Sequence, residues 1–468
     1  MQKTQAPFAS AAQLDSAVEA LKSLLGSRAS TALVQREHHS HGETYHPPAM
    51  PDAVCYPHTT EEVSEIMKIS AKYKVPVIPF GGGTSLEGHV NALYGGISID
   101  LREMNKVLRV SAEDLDVTVE AGVTRQQLNK ALDNTGLTFY VDPGGESTLG
   151  GMAATRASGT TTVRYGTMRD NVLALTVVMA DGTIIKTGTR ARKSSAGYDL
   201  TRLFVGSEGT LGIITNLTLR VHPLPEAVSA AVCSFPSVDS AVKTVIETIQ
   251  FGASVARIEL LDDAQMDAIN KYSKTDYPVA PTLFFEFHGS SDRHVAEQAE
   301  FVQSIAEEHG AKGFQWATRL EDRDKLWEAR HAAYYAAIAL RPGSKGMATD
   351  ACVPISRLAE CIRETQEDNR NAPFPVALVG HVGDGNFHCV YVFDPENEAE
   401  IAEGERLAGR IATRALAMGG TCTGEHGIGY GKMKYLEAEH GPALEVMRTI
   451  KRALDPDNRM NPGKMVKV

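Results

Sequence analysis

Paired cysteines are missing from this sequence: Cys55, Cys233, Cys352, Cys361, Cys389 and Cys422 stand far apart, and no CxxC occurs. That spacing argues against a disulfide framework, a thiolate zinc site or an iron–sulfur cluster, and it fits a reducing compartment. Long apolar runs are missing too. The strongest, Val172-Leu-Ala-Leu-Thr-Val-Val-Met-Ala180, is strand-sized and well short of the roughly 18 residues of a membrane-spanning helix. There is no basic stripe: 47 Lys and Arg against 58 Asp and Glu give a net charge of −11, which argues against a nucleic-acid partner. The N-terminus has no apolar signal core, and Asp15 and Glu19 are out of place in an Arg-rich transit peptide, so the expected location is cytoplasmic.

What is present is a globular composition, 43% hydrophobic and 22% charged, over 468 residues, enough for two or three domains. Ser10-Ala-Ala-Gln13 predicts a capping box that opens an amphipathic helix running to about Leu25. Further on, His381-Val-Gly-Asp-Gly-Asn-Phe-His388 predicts a hairpin with Asp384-Gly385 as its two-residue turn. In that register Gly383 faces Asn386 and His381 faces His388, close enough for two imidazoles to hold one ion. A second string, Thr423-Gly-Glu-His-Gly-Ile-Gly-Tyr-Gly431, supplies a carboxylate, Glu425, beside another histidine, His426, between glycines that allow close backbone approach. Two histidines and one carboxylate make an open, catalytic type of metal site, suited to Zn²⁺ or Mn²⁺.

The first half of the chain is rich in glycine loops. Val75-Pro-Val-Ile-Pro-Phe80 is an apolar strand that runs into Gly81, Gly82, Gly83, Thr84 and Ser85, whose N–H groups and hydroxyls form a nest suited to a pyrophosphate. The loop has neither the Walker lysine nor a GxGxxG leading into a helix, so neither a P-loop nor a Rossmann site fits. Further glycine strings follow at 144–151, 158–166 and 206–212, and together they point to a backbone lining a long, narrow ligand channel.

With Pro79-Phe-Gly-Gly-Gly-Thr-Ser-Leu-Glu-Gly-His89, Val141-Asp-Pro-Gly, Gly206-Ser-Glu-Gly-Thr-Leu-Gly212, Gly380-His-Val-Gly-Asp-Gly-Asn-Phe-His388, Gly424-Glu-His-Gly427 and Met460-Asn-Pro-Gly-Lys464, the chain resembles the FAD-dependent D-2-hydroxy-acid dehydrogenases of the vanillyl-alcohol-oxidase superfamily. The resemblance runs from about residue 48 to the end. It is nearest to the D-lactate-oxidising members, through Leu326-Trp-Glu-Ala-Arg-His331, Arg341-Pro-Gly and Thr421-Cys-Thr-Gly-Glu-His-Gly-Ile-Gly429. It implies an α+β fold: a helical segment 1–47, a two-part FAD-binding domain of the PCMH type at 48–225, a substrate or cap domain with an antiparallel sheet at 226–419, and a C-terminal segment 420–468 returning to the flavin. By the same resemblance the 81–85 loop takes the FAD diphosphate. Pro143, Gly144, Thr148, Gly151, Ser158, Gly209 and Ile214 border the cofactor, and Asn461 reaches it from the C-terminus. Thr84 stands where covalently flavinylated relatives have histidine, which implies non-covalent FAD.

Residues Leu326 to Tyr335 predict a helix with Trp327, Arg330 and Tyr334 on one stripe. Read alone, Arg330 pairs with a nearby Glu; by the resemblance it anchors the substrate carboxylate, a task suited to a bidentate guanidinium. The implied reaction oxidises a 2-hydroxy acid. The metal at His381, His388 and Glu425 acidifies the hydroxyl, His426 serves as general base with a reference pKa of about 6.5, and the hydride passes to FAD. Relatives acting on D-2-hydroxyglutarate carry a lysine where this chain has Ala348, so D-lactate or a short apolar homologue is favoured, then glycolate; Lys345 is near in sequence and keeps D-2-hydroxyglutarate as a disfavoured alternative. A metallohydrolase is the rival reading, and it leaves the glycine loops unexplained. The electron acceptor stays open among cytochrome c, a quinone, an electron-transferring flavoprotein, a partner subunit and oxygen.

Overall fold

The computed structural model describes residues 8–468. The chain divides into two units: one holds the described residues up to Ser158 with Thr167–Leu224 and Glu425–Val468, the other Gly159–Gly166 with Pro225–Gly424.

In the first unit the capping box forms as expected. Ser10 Oγ accepts from Gln13 N at 3.4 Å and Gln13 Oε1 from Ser10 N at 2.9 Å, starting the helix Ala11–Leu25. Its Ala17, Leu21 and Leu25 are buried, and residues spaced by four lie on one helix face. Val77–Phe80 and Ala53–Cys55 pair in parallel with Ile97–Asp100, with Ala29–Ser30 added at the edge. A second, antiparallel sheet runs Val107–Ser111, Asp116–Glu120, Ile213–Arg220, Val172–Val178, Ile184–Lys186. One apolar cluster, including Ile66, Val77, Ile97, Val119, Leu149, Val177 and Leu217, fills this unit. The chain's last segment is tied in by Asn461 N bonding to Val77 O at 2.8 Å and by buried Lys464, whose Nζ donates to Asn91 O and Asn461 Oδ1 at 2.6 Å. Burial pushes that ammonium down to about 7.

The second unit is an antiparallel sheet in the order Lys312–Ala317, Ala227–Ser234, Thr282–Gly289, Val255–Leu261, Val376–Gly380, Asn386–Phe393, Lys345–Ala348, with Ala351–Cys352 also pairing to Asn386–Phe393. Val255–Leu261 is a central strand, and its Leu260 opposes Gly380. Amphipathic helices, among them Val238–Gln250, Asp292–Glu308 and Ile355–Asn369, each bury one stripe. The α+β class therefore holds. Among the described residues no helix is long and apolar enough to cross a membrane.

Candidate active site

The histidine hairpin departs from its expected register. Val379, not His381, opposes His388, and a 3₁₀ turn at Val382–Asp384 followed by Gly385 joins the strands. A two-residue type I′ turn needs positive φ at both central positions. Only Gly385 has it, at 77°, while Asp384 stays in the turn and donates its N–H to His381 O at 3.0 Å. A shift of two residues leaves the side-chain face unchanged. The His381 and His388 rings still meet, with centroids 5.4 Å apart and nearly perpendicular.

Each of these rings is held from behind. His388 Nδ1 lies 2.9 Å from Thr349 O, and His381 Nδ1 lies 2.8 Å from Glu259 Oε1, so Nε2 is the nitrogen each can turn to an ion. Asp350 fixes the approach of the third group. Its Oδ1 accepts from Asn386 Nδ2 at 2.8 Å and its Oδ2 from Thr423 Oγ1 at 2.7 Å. Gly424 packs directly on the Asn386 amide, where a β-carbon has no room. Glu425 is the next residue along the chain. His381 and His388 belong to the second unit and Glu425 opens the last segment of the first; two imidazoles and one carboxylate are a donor set that fits a small divalent ion.

Arg330 sits on the helix Leu320–His331, which ends one residue before Ala333–Ala339. The expected continuous helix through Tyr335 is thus broken at Ala332. A ψ of −7° there turns the second helix aside, leaving Trp327 5% exposed but Tyr334 40% exposed, so the aromatic stripe does not form. Arg330 does pair with a glutamate: its Nε and Nη2 lie 2.9 and 2.7 Å from Glu259 Oε2. This is the same carboxylate that holds His381. Burial works against the Glu259 charge, but His381 and Arg330 outweigh it and keep the carboxyl below its ordinary range. Both Arg330 contacts use one edge of the guanidinium; the other edge makes no hydrogen bond among the described residues.

In the first unit the glycine strings at 81–85, 144–151 and 206–212 come together, while Gly159–Gly166 belongs to the second. The 81–85 loop lies against 146–151: Gly81 leaves no room for a β-carbon beside Thr148 Oγ1, one added to Gly82 would come within 3.1 Å of Glu146 O, and Thr84 Oγ1 lies 2.8 Å from Ser147 Oγ. Thr148 caps the helix Leu149–Thr155, accepting from Gly151 N at 3.3 Å. Gly209, at φ 69°, packs on Pro79. Ser85 Oγ is buried with no hydrogen-bond partner among the described residues. Bare backbone, two hydroxyls and a helix N-terminus fit a diphosphate. Pro143 and Gly144 are exposed, and Ile214 belongs to the apolar core.

Two of the expected flavin neighbours also bond within the protein. Ser158 Oγ donates to Glu425 Oε2 at 2.7 Å, and the Asn461 amide donates to His89 O and Glu208 O at 3.0 and 2.8 Å. Glu208 is a residue whose part the sequence reading missed. Its carboxylate accepts from Ile428 N and Gly429 N at 2.7 and 2.8 Å and clamps the loop just past His426. The flanking glycines permit this, since a β-carbon on Gly427 would come within 2.7 Å of Glu208 Oε1. Lys345 stands at the far end of the short strand Lys345–Ala348. It pairs with Phe393, five residues along its strand from His388, or roughly 17 Å at about 3.4 Å per residue.

Family models match in two blocks, "FAD binding domain" over residues 51–188 and "FAD linked oxidases, C-terminal domain" over residues 224–465. The chain belongs to the FAD-linked oxidases. These are oxidoreductases, in agreement with the motif resemblance. A probable mitochondrial D-lactate dehydrogenase of Danio rerio is 52% identical over 98% of this chain and 93% of its own. A mitochondrial D-lactate dehydrogenase (cytochrome) of Arabidopsis thaliana is 46% identical over 96% and 80%. Glycolate oxidase subunit GlcD of Bacillus subtilis is 36% identical over 89% of each. A crystal structure of p-cresol methylhydroxylase with substrate bound shares the fold, at TM-score 0.81 and 17% identity over 97% of each chain.

The comparisons overturn the cytoplasmic location expected from the N-terminus: the relatives at 52, 46, 42 and 41% identity are all named mitochondrial. Composition and scattered thiols are alike in any reducing compartment, and an address is carried by short local segments. Residues 1–7, on which part of that reading fell, lie outside the described residues.

Proposed function

We propose that this FAD-linked oxidase converts a D-2-hydroxy acid, D-lactate best of all, to the 2-oxo acid, with FAD held non-covalently and Zn²⁺ or Mn²⁺ held by His381, His388 and Glu425. The observation that carries the reading is Arg330, a guanidinium aimed by a fully buried carboxylate that also fixes one of two paired histidines. Flavin, when bound, supplies the acceptor for the hydride leaving Cα, and the divalent ion supplies Lewis acidity at the hydroxyl. Arg330 binds the substrate carboxylate along its unused edge. His426 takes the hydroxyl proton on a ring nitrogen as the carbonyl forms, on a loop held still by Glu208. The 81–85 loop, with Pro143, Gly144, Thr148, Gly151, Gly209 and Ile214, borders the cofactor, while Ser158 acts through Glu425 and Asn461 through the loops it ties. Residues 48–225 and 420–468 serve the flavin and 226–419 the substrate. The name of the Arabidopsis relative makes a cytochrome the first external acceptor to test.

With Ala348 in place of lysine, a distal carboxylate lacks one expected partner. The kcat/KM for D-lactate is expected to exceed that for D-2-hydroxyglutarate by about 10- to 100-fold, the equivalent of one missing charge-assisted hydrogen bond. Steady-state assays with D-lactate, glycolate and D-2-hydroxyglutarate check this, and a preference for the dicarboxylate overturns the assignment. Arg330→Lys keeps the charge but loses the fork, and is expected to weaken substrate binding by roughly 1.5–3 kcal/mol. Unchanged concentration dependence of flavin reduction by D-lactate in this variant would make Arg330 merely the structural partner of Glu259.

A further inference from the structure

Glu259 lies at the centre of the second unit, 0% exposed, on the strand Val255–Leu261. Pairing of the neighbouring Leu260 with Gly380 sets it beside His381, and the helix Leu320–His331 brings Arg330 to it from another direction. Its two oxygens are divided between these neighbours. Oε1 lies 2.8 Å from His381 Nδ1, and Oε2 takes Arg330 Nε and Nη2 at 2.9 and 2.7 Å while also lying 3.0 Å from His381 Nδ1. A buried carboxylate with several donors has little freedom, because moving away from any of them leaves a desolvated charge unmatched. Its orientation therefore fixes two other side chains, the tilt and tautomer of the His381 ring and the direction of the open Arg330 edge.

We infer that Glu259 is a positioning residue that sets the metal ligand His381 and the substrate anchor Arg330 together, so that one substitution impairs ion binding and substrate binding at once. The inference rests on the metal and substrate roles proposed above. A carboxylate behind a ligating imidazole raises its basicity and holds its orientation, and loss of such a group lowers metal affinity by about 10- to 100-fold. Glutamine retains the shape, but its amide nitrogen cannot accept from either partner.

The test uses the FAD-loaded full chain. Mn²⁺ affinity is read from the free-ion EPR signal, and kcat and KM for D-lactate are measured at saturating Mn²⁺, with thermal unfolding of the metal-free protein alongside. For Glu259→Gln the expected results are a 10- to 100-fold weaker Mn²⁺ affinity and, with the ion restored by excess, a KM still raised about tenfold. Unaltered Mn²⁺ affinity or unaltered KM in a variant that does bind FAD overturns the inference, since Glu259 then serves only one partner or only the fold. If Glu259→Gln does not fold, Glu259→Asp is measured instead. It keeps the charge on a side chain shorter by about 1.5 Å, too short to span both partners, and the same two losses are expected. Wild-type protein that binds no Mn²⁺ and turns over without it instead contradicts the metal reading itself, which separates the two failures.

Discussion

Replacing His426 by asparagine is expected to slow anaerobic reduction of the flavin by D-lactate by about 10²–10⁴-fold, the usual effect of losing a general base, with FAD and metal both retained. The expectation comes from the division of labour between neighbours. Glu425 accepts from Ser158 Oγ at 2.7 Å and is the carboxylate of the proposed ligand set, whereas His426 begins the loop that Glu208 clamps through Ile428 and Gly429. Asparagine keeps a polar side chain of similar reach at its root but cannot take up a proton near neutrality. Glu425→Gln is expected to act differently, lowering metal occupancy first. Stopped-flow reduction together with metal content of both variants checks the pair. Metal loss from the His426 variant, with fast reduction restored by excess ion, reverses the two roles.

Removing the ion is expected to stop turnover while the protein stays yellow. A Lewis acid at a developing alkoxide contributes several kcal/mol, so exhaustive chelation or His388→Ala is expected to reduce the rate by roughly 10³-fold or more. The flavin is expected to stay because the residues proposed to cradle its diphosphate, the 81–85 loop and Thr148, belong to the first unit and the two histidines to the second. His388 is the cleaner position to change, since its Nδ1 bonds to a backbone carbonyl, Thr349 O, whereas His381 is tied to Glu259 and thereby to Arg330. Visible absorbance, elemental analysis and steady-state rate on one sample check the prediction. Full activity in protein shown to be metal-free contradicts it.

What the sequence made legible was set by local backbone demands. Glycines at 81–83 and 427 mark places where a β-carbon has no room or φ is positive, and such demands are visible without the fold. The two histidines were legible as a pair because an even register shift preserves the sheet face, even though the turn proved longer than Asp384-Gly385 alone would make it. Glu259 was not legible. It stands 122 residues from His381 and 71 from Arg330, a single acid in Val255-Ala-Arg-Ile-Glu-Leu-Leu261, where nothing local distinguishes a buried bridge from a solvated face. Pairing of Arg330 with a glutamate and an anchoring role read as alternatives in the sequence, but the geometry allows both, because the partner occupies only one edge of the guanidinium. The break at Ala332 has no glycine or proline to announce it, and the part played by Glu208 was hidden within a glycine string read as cofactor lining.

The most direct measurement mixes the purified, metal-replete protein with D-lactate under anaerobic conditions and follows the visible flavin band. The account predicts a yellow protein whose band bleaches on mixing, with one pyruvate formed per flavin reduced, and no bleaching after chelation. A flavin-loaded, metal-replete protein whose band is unmoved by D-lactate, or a colourless protein that hydrolyses esters or amides, contradicts it.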